Sequence, residues 1–577
     1  MKKIKLIVIL FLIISNSNYV HADDSFEEWK INFKNYAQDQ GISLITLNKL
    51  IDKKGRRKYF KKLDPKLQDA PFEIDIKLIK KKCKILLLMP NFNWIDEDVN
   101  ALWDLLPWNL CLLAAMVEDI ASDIIIIDAY KDNLSKEDVI KKIKNYNPDI
   151  VGLTVLMDQY HQVAHITAKL IKSISKNITT VLGGVYATSN SSKAIQDKNL
   201  DYVVIGEGEF TFRQLVGFIS GACDLPERGI CFRKKNNGKI DHRGHSAFIK
   251  NLDVLPKPAY HLIDFLSYAN QFGRRKSVDQ PGSYPYARIV TSRGCPEKCS
   301  FCQVPSLQGS YFRARTADNV CDEIEWLKKE YGIKSIVFDD DNMFTNTKKS
   351  KIMLSRMIER GLAMPWTSVA TAVFRLDEEL IDLMVDSGCN YIDVAIESGT
   401  ERVTREVVLK PIDFNHAKKM ITYARKKGIY VAANFIIGFP TETWEEIRQT
   451  IALAEELNVD YAKIFNAIPL RNTEMFDLAQ MTNSIIMDTT DVNAQSVWTV
   501  GGVLKSDEWS TDDLTILRAY EWDRINFTDP KKLKRTADRM QITIEELNSI
   551  RKRTLNNAIK SISLRNSSDM SVKRAAD

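Results

Sequence analysis

Residues 291–305 read TSRGCPEKCSFCQVP, and they set Cys295, Cys299 and Cys302 in the spacing C-x3-C-x2-C. The stretch follows a strand expected over 286–292, so the cysteines fall in the turn just past it. Thiolates are the ligands that iron–sulfur clusters use, and close spacing lets one loop wrap a cluster corner. Three ligands for four irons leave one iron open, free to chelate the amino and carboxylate groups of a small molecule. Structural zinc is the competing reading, but such sites are closed by four ligands, usually as two pairs. The next cysteine, Cys321, falls on an expected amphipathic helix, and no second pair follows. The triad therefore points to a [4Fe–4S] cluster.

Outward from this motif the chain alternates strand and helix. Downstream, strands are expected at 286–292, 334–338, 366–371, 391–396, 430–436 and 461–465, with helices near 316–330, 347–360, 377–387, 413–427 and 442–456. Six such units imply a partial (β/α)6 barrel with its chemistry at the carboxyl ends of the strands. Upstream, KILLLM (84–89), DIIIIDA (123–129), IVGLTV (150–155), TVLGG (180–184) and YVVIGEG (202–208) alternate with amphipathic helices. Five βα units of this kind imply a flavodoxin-like, doubly wound parallel sheet, in which ligands sit beyond the strand carboxyl ends. Residues 221–282 connect the two series without clear periodicity. From 481 to 577 the chain reads as helical, and the aromatics of 508–527 are expected to be core.

Composition narrows the class. A chain of 577 residues exceeds one hydrophobic core and should fold as two to four domains. An apolar fraction of 45% with 27% charged residues is ordinary for globular protein and argues against global disorder or a polytopic membrane protein. A net charge of +6 gives no specific nucleic-acid signal. The lysine-rich runs 53–62 and 77–84 read as solvated linker. Nine cysteines, an odd number, do not make a disulfide framework and suit a reducing compartment. The N-terminus conflicts with that compartment. Residues 1–22 have a basic start, an apolar run from Leu6 to Ile14 and a small residue at Ala22, the build of a secretory signal. The run is too short for a transmembrane span, which needs ~20 residues.

The triad, with Phe301 before its last cysteine, resembles the signature of the radical S-adenosylmethionine (SAM) superfamily, and the likeness extends over 283–480. It implies that a reduced cluster cleaves SAM into methionine and a 5′-deoxyadenosyl radical, fed by a low-potential electron donor of the flavodoxin or ferredoxin type. It places Phe301 near the adenine. In FDDDNMF (338–344) it implies Asp340 or Asp341 at the SAM amino group. In VAIESGT (394–400) it implies Glu397 at the ribose or methionine portion, and in FIIGFP (435–440) the backbone of Gly438 at the adenine.

Residues 80–220 resemble the cobalamin-binding domain that precedes many radical SAM cores. The likeness rests on Asp128, GLTVLMD (152–158), GGVYATSN (183–190) and IGEGEFTF (205–212). It implies cobalamin contacts at Asp128, Thr154, Gly183, Gly184, Gly206, Glu207 and Gly208, with Glu209 a further acceptor. The D-x-H-x-x-G motif that supplies a lower axial histidine elsewhere is absent, so a histidine-ligated cobalt is not expected. DHRGH (241–245) has the wrong spacing, and Tyr186 stands where many relatives carry histidine. The combined resemblance implies methyl transfer to an unactivated carbon of a small-molecule or lipid substrate. Radical rearrangement or cyclisation, and a cobalamin-binding or redox-sensing protein without catalysis, are the alternatives. Residues 23–75 resemble the start of the membrane-bound lytic murein transglycosylase B family, which suggests a gene fusion, since that family's catalytic body does not follow.

Overall fold

The structure is a computed structural model that describes residues 67–68, 74–95, 106–271, 276–410, 412–486 and 502–576. The secretory-like segment 1–22 lies outside the described residues, as does nearly all of 23–75. Two parallel sheets organise the rest. In the first, strand β1 (Lys84–Met89) is buried along almost its whole length, as expected for a central parallel strand covered by helices on both faces. It is flanked by β2 (Asp123–Asp128) and β3 (Ile150–Val155), followed by β4 (Thr179–Gly184) and β5 (Tyr202–Val204). The order β2-β1-β3-β4-β5 is the flavodoxin arrangement. Two further strands, β6 (Ile230–Arg233) and β7 (Ile240–His242), extend it antiparallel. They lie in the stretch whose sequence shows no periodicity.

The second sheet holds β8 (Tyr286–Ile289), β9 (Ser335–Phe338), β10 (Trp366–Thr371), β11 (Cys389–Glu397), β12 (Tyr430–Ile437) and β13 (Tyr461–Asn466), parallel and in sequential order. Helices α1 (Ala317–Tyr331), α2 (Thr347–Glu359), α3 (Glu378–Asp386), α4 (Phe414–Lys426) and α5 (Trp444–Glu456) connect them. Side-chain caps start these helices: Thr316, Asn346, Asp377 and Asp413 each accept from a first-turn N–H, and Thr443 with Glu446 forms a reciprocal capping box. Cys321 lies on the buried face of α1, in the core.

This sheet is an open barrel, and its last strand is covered by helix α6 (Thr511–Phe527). Asn526 on α6 donates to the carbonyl of Ala462 at 2.9 Å and accepts from its N–H at 2.7 Å. Arg518 donates to the carbonyl of Ile464 at 2.9 Å. Side chains thus occupy backbone groups that an uncovered edge would leave open. Trp509 and Trp522 are buried as expected of core aromatics, whereas Tyr520 is exposed. Among the described residues no helix is long and apolar enough to cross a membrane.

The barrel core centres on Trp366. Its side chain is fully buried, 5.3 Å edge-on from Phe338, and its indole N–H donates to Ser387 Oγ at 3.1 Å. Trp366→Ala is expected to cost about 3–5 kcal/mol of stability, read as a lower denaturant midpoint in far-UV circular dichroism.

Candidate functional site

The site grows from the end of β8. Residues Ser292–Arg293 and Arg313–Ala314 form a short antiparallel ribbon, and the loop it closes carries all three cysteines. The closure is tight. Gly294 has φ +78°, and a Cβ there would stand 2.4 Å from the Tyr311 carbonyl oxygen. Within the loop the Cys295 N–H donates to the Gly309 carbonyl at 3.2 Å, and that of Cys302 to the Cys299 carbonyl at 3.1 Å. The three cysteines are part-buried. Burial pushes the Cys295 and Cys302 thiols up, and Cys299 up to about 12. Thiols in such surroundings ionise only against positive charge, as a bound metal supplies. Among the described residues no group of three His, Cys, Asp or Glu is gathered for one metal ion. A four-iron cube, by contrast, takes its ligands at separate corners.

The acids at the neighbouring strand ends have different partners. Asp340 is turned back onto the strand that leads to the cysteines. It accepts from the Thr291 N–H at 3.1 Å, Thr291 Oγ1 at 2.8 Å and Ser292 Oγ at 2.5 Å. Its carboxylate therefore clamps the motif. Asp341 accepts from the Gly294 N–H at 3.1 Å and lies close enough to Cys295 and Cys302 to raise their pKa values. Burial pushes both acids up to about 6. Glu397 ends β11 with φ +67° and pairs with Lys410 at 2.9 Å, both nearly fully buried. Burial alone would lower Lys410, but Glu397, Cys299 and Cys302 hold it above the ordinary lysine value. Lys410 escaped the sequence reading because VVLKP carries no recognisable spacing. Its isolation among apolar residues was the one available signal.

Gly438 has φ +80°, and a Cβ would stand 2.3 Å from Leu514 of α6. Helix α6 therefore packs closely on this turn. The N–H groups of Gly438 and Phe439 donate to Glu442 at 2.7 and 3.0 Å. Phe439 in turn lies 6.2 Å from the Phe301 ring. Glu442 was also missed in the sequence, where it reads as an ordinary helix-start acid.

In the first sheet Thr154 and Gly183 are register partners at the ends of β3 and β4, with Val155 and Gly184 beside them. A Cβ on Gly183 would meet nothing within 4 Å, so open space lies before it. Gly184 is exposed and adopts φ +94°. Here the chain leaves a cradle that a flat ring or polar tail could enter. The other expected contacts have protein neighbours. Asp128 accepts from the Lys131 N–H at 2.9 Å and the Tyr268 hydroxyl at 3.1 Å. A Cβ on Gly206 would strike the His245 ring at 2.1 Å. Gly208 opens a helix and faces Val204 and Leu113. Tyr186 is buried, with its hydroxyl 3.0 Å from His165 Nε2.

Glu207 is buried among protein partners. Its carboxylate lies 2.8 Å from Arg313 and 3.4 Å from Arg293, and accepts from the Ile249 N–H at 2.7 Å. Glu209 pairs with Arg293 at 2.6 Å. The cradle and the cysteine loop are also neighbours. The helix Val185–Ser189, which follows Gly184, touches Val304–Leu307, and Asn472 donates to the Ser189 carbonyl at 3.2 Å.

Known proteins share this pairing of sheets. The radical SAM superfamily model matches residues 289–454, and the B12 binding domain model residues 99–216. An uncharacterised methyltransferase of Pyrococcus horikoshii is 32% identical over 440 residues, covering 76% of this chain and 91% of its own length. The chain belongs to the radical SAM proteins that carry a B12-binding domain. A cytidylyl-2-hydroxyethylphosphonate methyltransferase of Streptomyces wedmorensis is 29% identical, covering 70% of this chain and 83% of its own. An anaerobic magnesium-protoporphyrin IX monomethyl ester cyclase of Rubrivivax gelatinosus is 26% identical, covering 68% and 69%. Among solved structures, the radical SAM methyltransferase TsrM of Kitasatospora setae, with cobalamin and a [4Fe–4S] cluster bound, aligns at TM-score 0.56 with 18% identity, covering 70% of this chain and 76% of its own. The cobalamin-dependent radical SAM enzyme OxsB aligns at 0.61 with 15% identity, covering 82% and 72%. These two establish likeness of fold. The resemblance of residues 23–75 to a murein transglycosylase finds no support in these comparisons.

Glu442 offers a test of how the site is held. Burial pushes it up to about 8 against an ordinary glutamate value of 4.5, so the folded chain holds a proton that the unfolded chain releases. Stability from this group is therefore present below pH 4.5 and lost as pH rises to about 8. Glu442→Gln is expected to flatten the fall in melting temperature between pH 5 and 8, a span worth up to roughly 4 kcal/mol. Parallel melting curves for the two proteins would contradict it.

Proposed function

We propose that this radical SAM enzyme is a cobalamin-dependent methyltransferase acting on an unactivated carbon. The observation that carries the reading is the Gly183–Gly184 cradle standing next to the loop of Cys295, Cys299 and Cys302. A [4Fe–4S] cluster with SAM would supply radical generation, and cobalamin a transferable methyl group. The three cysteines would hold the cluster. Lys410 lowers the cost of thiolate at Cys299. Asp341, with one N–H partner from the loop, is suited to take a cationic amine beside the triad. Phe301 and Phe439 give a part-apolar wall for a purine, and Thr154, Gly183 and Gly184 would admit the corrin or its tail. Buried side chains around the loop keep water from the reacting atoms. The low-potential reductant this chemistry needs places the activity in the cytoplasm.

A second reading, ring formation without methyl transfer, is favoured by the cyclase relative. Label separates the two. Incubation with methyl-deuterated SAM and candidate acceptors is expected to place label in the product and to form S-adenosylhomocysteine alongside 5′-deoxyadenosine. Turnover giving 5′-deoxyadenosine alone favours ring chemistry. Gly183→Leu is expected to keep the wild-type iron content and circular dichroism while losing cobalamin absorbance at least tenfold. Retained cobalamin would move the site elsewhere.

A further inference from the structure

The ribbon that closes the cysteine loop sets Arg293 directly opposite Arg313. Like charges facing each other across a strand pair repel, and both side chains are more than nine-tenths buried, away from screening solvent. Asp341 of the barrel feels the Arg293 charge without pairing to it, and among the described residues neither arginine finds an ion-pair counter-charge within the barrel. It comes from the turn after β5 in the other sheet, where Glu207 reaches both arginines and Glu209 the first of them. Arg313 also donates to the carbonyls of Ile249 at 2.8 Å and Gln308 at 2.6 Å, so its position fixes the far end of the loop.

We propose that Glu207 is a positioning residue for the cluster loop. By neutralising Arg293 and Arg313 it keeps the base of the loop closed, so the cluster site is complete only when the cobalamin-binding sheet is seated against the barrel. The inference rests on the triad holding a [4Fe–4S] cluster, as proposed above. It makes the first sheet a requirement for cluster loading as well as a cofactor carrier.

The test uses the full chain, reconstituted anaerobically with iron and sulfide, with iron content, the electron paramagnetic resonance of the reduced cluster and far-UV circular dichroism as readouts. Wild type should reach about four irons per chain. Glu207→Gln is expected to lose more than half of the iron and to broaden the resonance, with its circular dichroism unchanged. Adding Arg293→Gln to that variant removes the excess positive charge while keeping the Arg313 bonds to the loop, and is expected to return iron to near the wild-type level. Full iron and an unaltered resonance in Glu207→Gln would overturn the proposal. So would lost iron that Arg293→Gln does not restore, because Glu207 would then serve only the general fold. Wild type that binds no iron would overturn the cluster reading itself, and this inference with it.

Discussion

A guanidinium taken out of water must be matched where it stands, or the fold bears the cost of an unpaired buried charge. Arg293 and Arg313 impose that requirement at the base of the cysteine loop, and Glu207 and Glu209 meet it from the other sheet. The match is directional as well as electrical. Arg293 lies under the Trp108 ring at 5.7 Å, and Arg313 against Phe248 at 5.0 Å, so apolar groups hold each fork in place. Breaking one such pair is worth about 3–5 kcal/mol, more than most single contacts between packed apolar surfaces. The relative placement of the two sheets is thus tied to the loop that carries the chemistry.

The architecture was legible in the sequence because both sheets are built from buried parallel strands. Runs such as KILLLM and IVGLTV are too short for a buried helix, and the barrel helices carry polar caps at their starts. Strands β6 and β7 were not legible. They pair antiparallel at the sheet margin with part-exposed residues such as Arg233 and Asp241, and so lack the apolar signature. The cysteine triad was legible because its spacing is chemical. Lys410 and Glu442 were not, since a single buried charge is defined by what surrounds it in space.

The glycines show the limit of reading by residue type. Gly183, Gly206 and Gly438 all follow apolar strands and look equivalent on the page. Gly183 faces open space, Gly206 gives room to His245, and Gly438 gives room to Leu514. One kind of absence in the sequence thus stands for open space, a connector contact and a helix contact. Only the three-dimensional neighbours tell them apart.

The carboxylates at the barrel strand ends divide labour in a similar way. Asp340 uses its acceptors on Thr291 and Ser292, Glu397 on Lys410, and Glu442 on the N–H groups of Gly438 and Phe439. Each has its charge or its lone pairs taken up by the protein, so each stiffens one segment around the triad. Asp341 differs in having one loop N–H and, among the described residues, no ion-pair partner, although the Arg293 charge reaches it. Desolvation pushes its carboxyl up, and an acid in that state gains more from pairing with a positive group than an exposed acid would. Three of the acids thus fix the frame around the triad, and the fourth holds the loop by a single backbone bond.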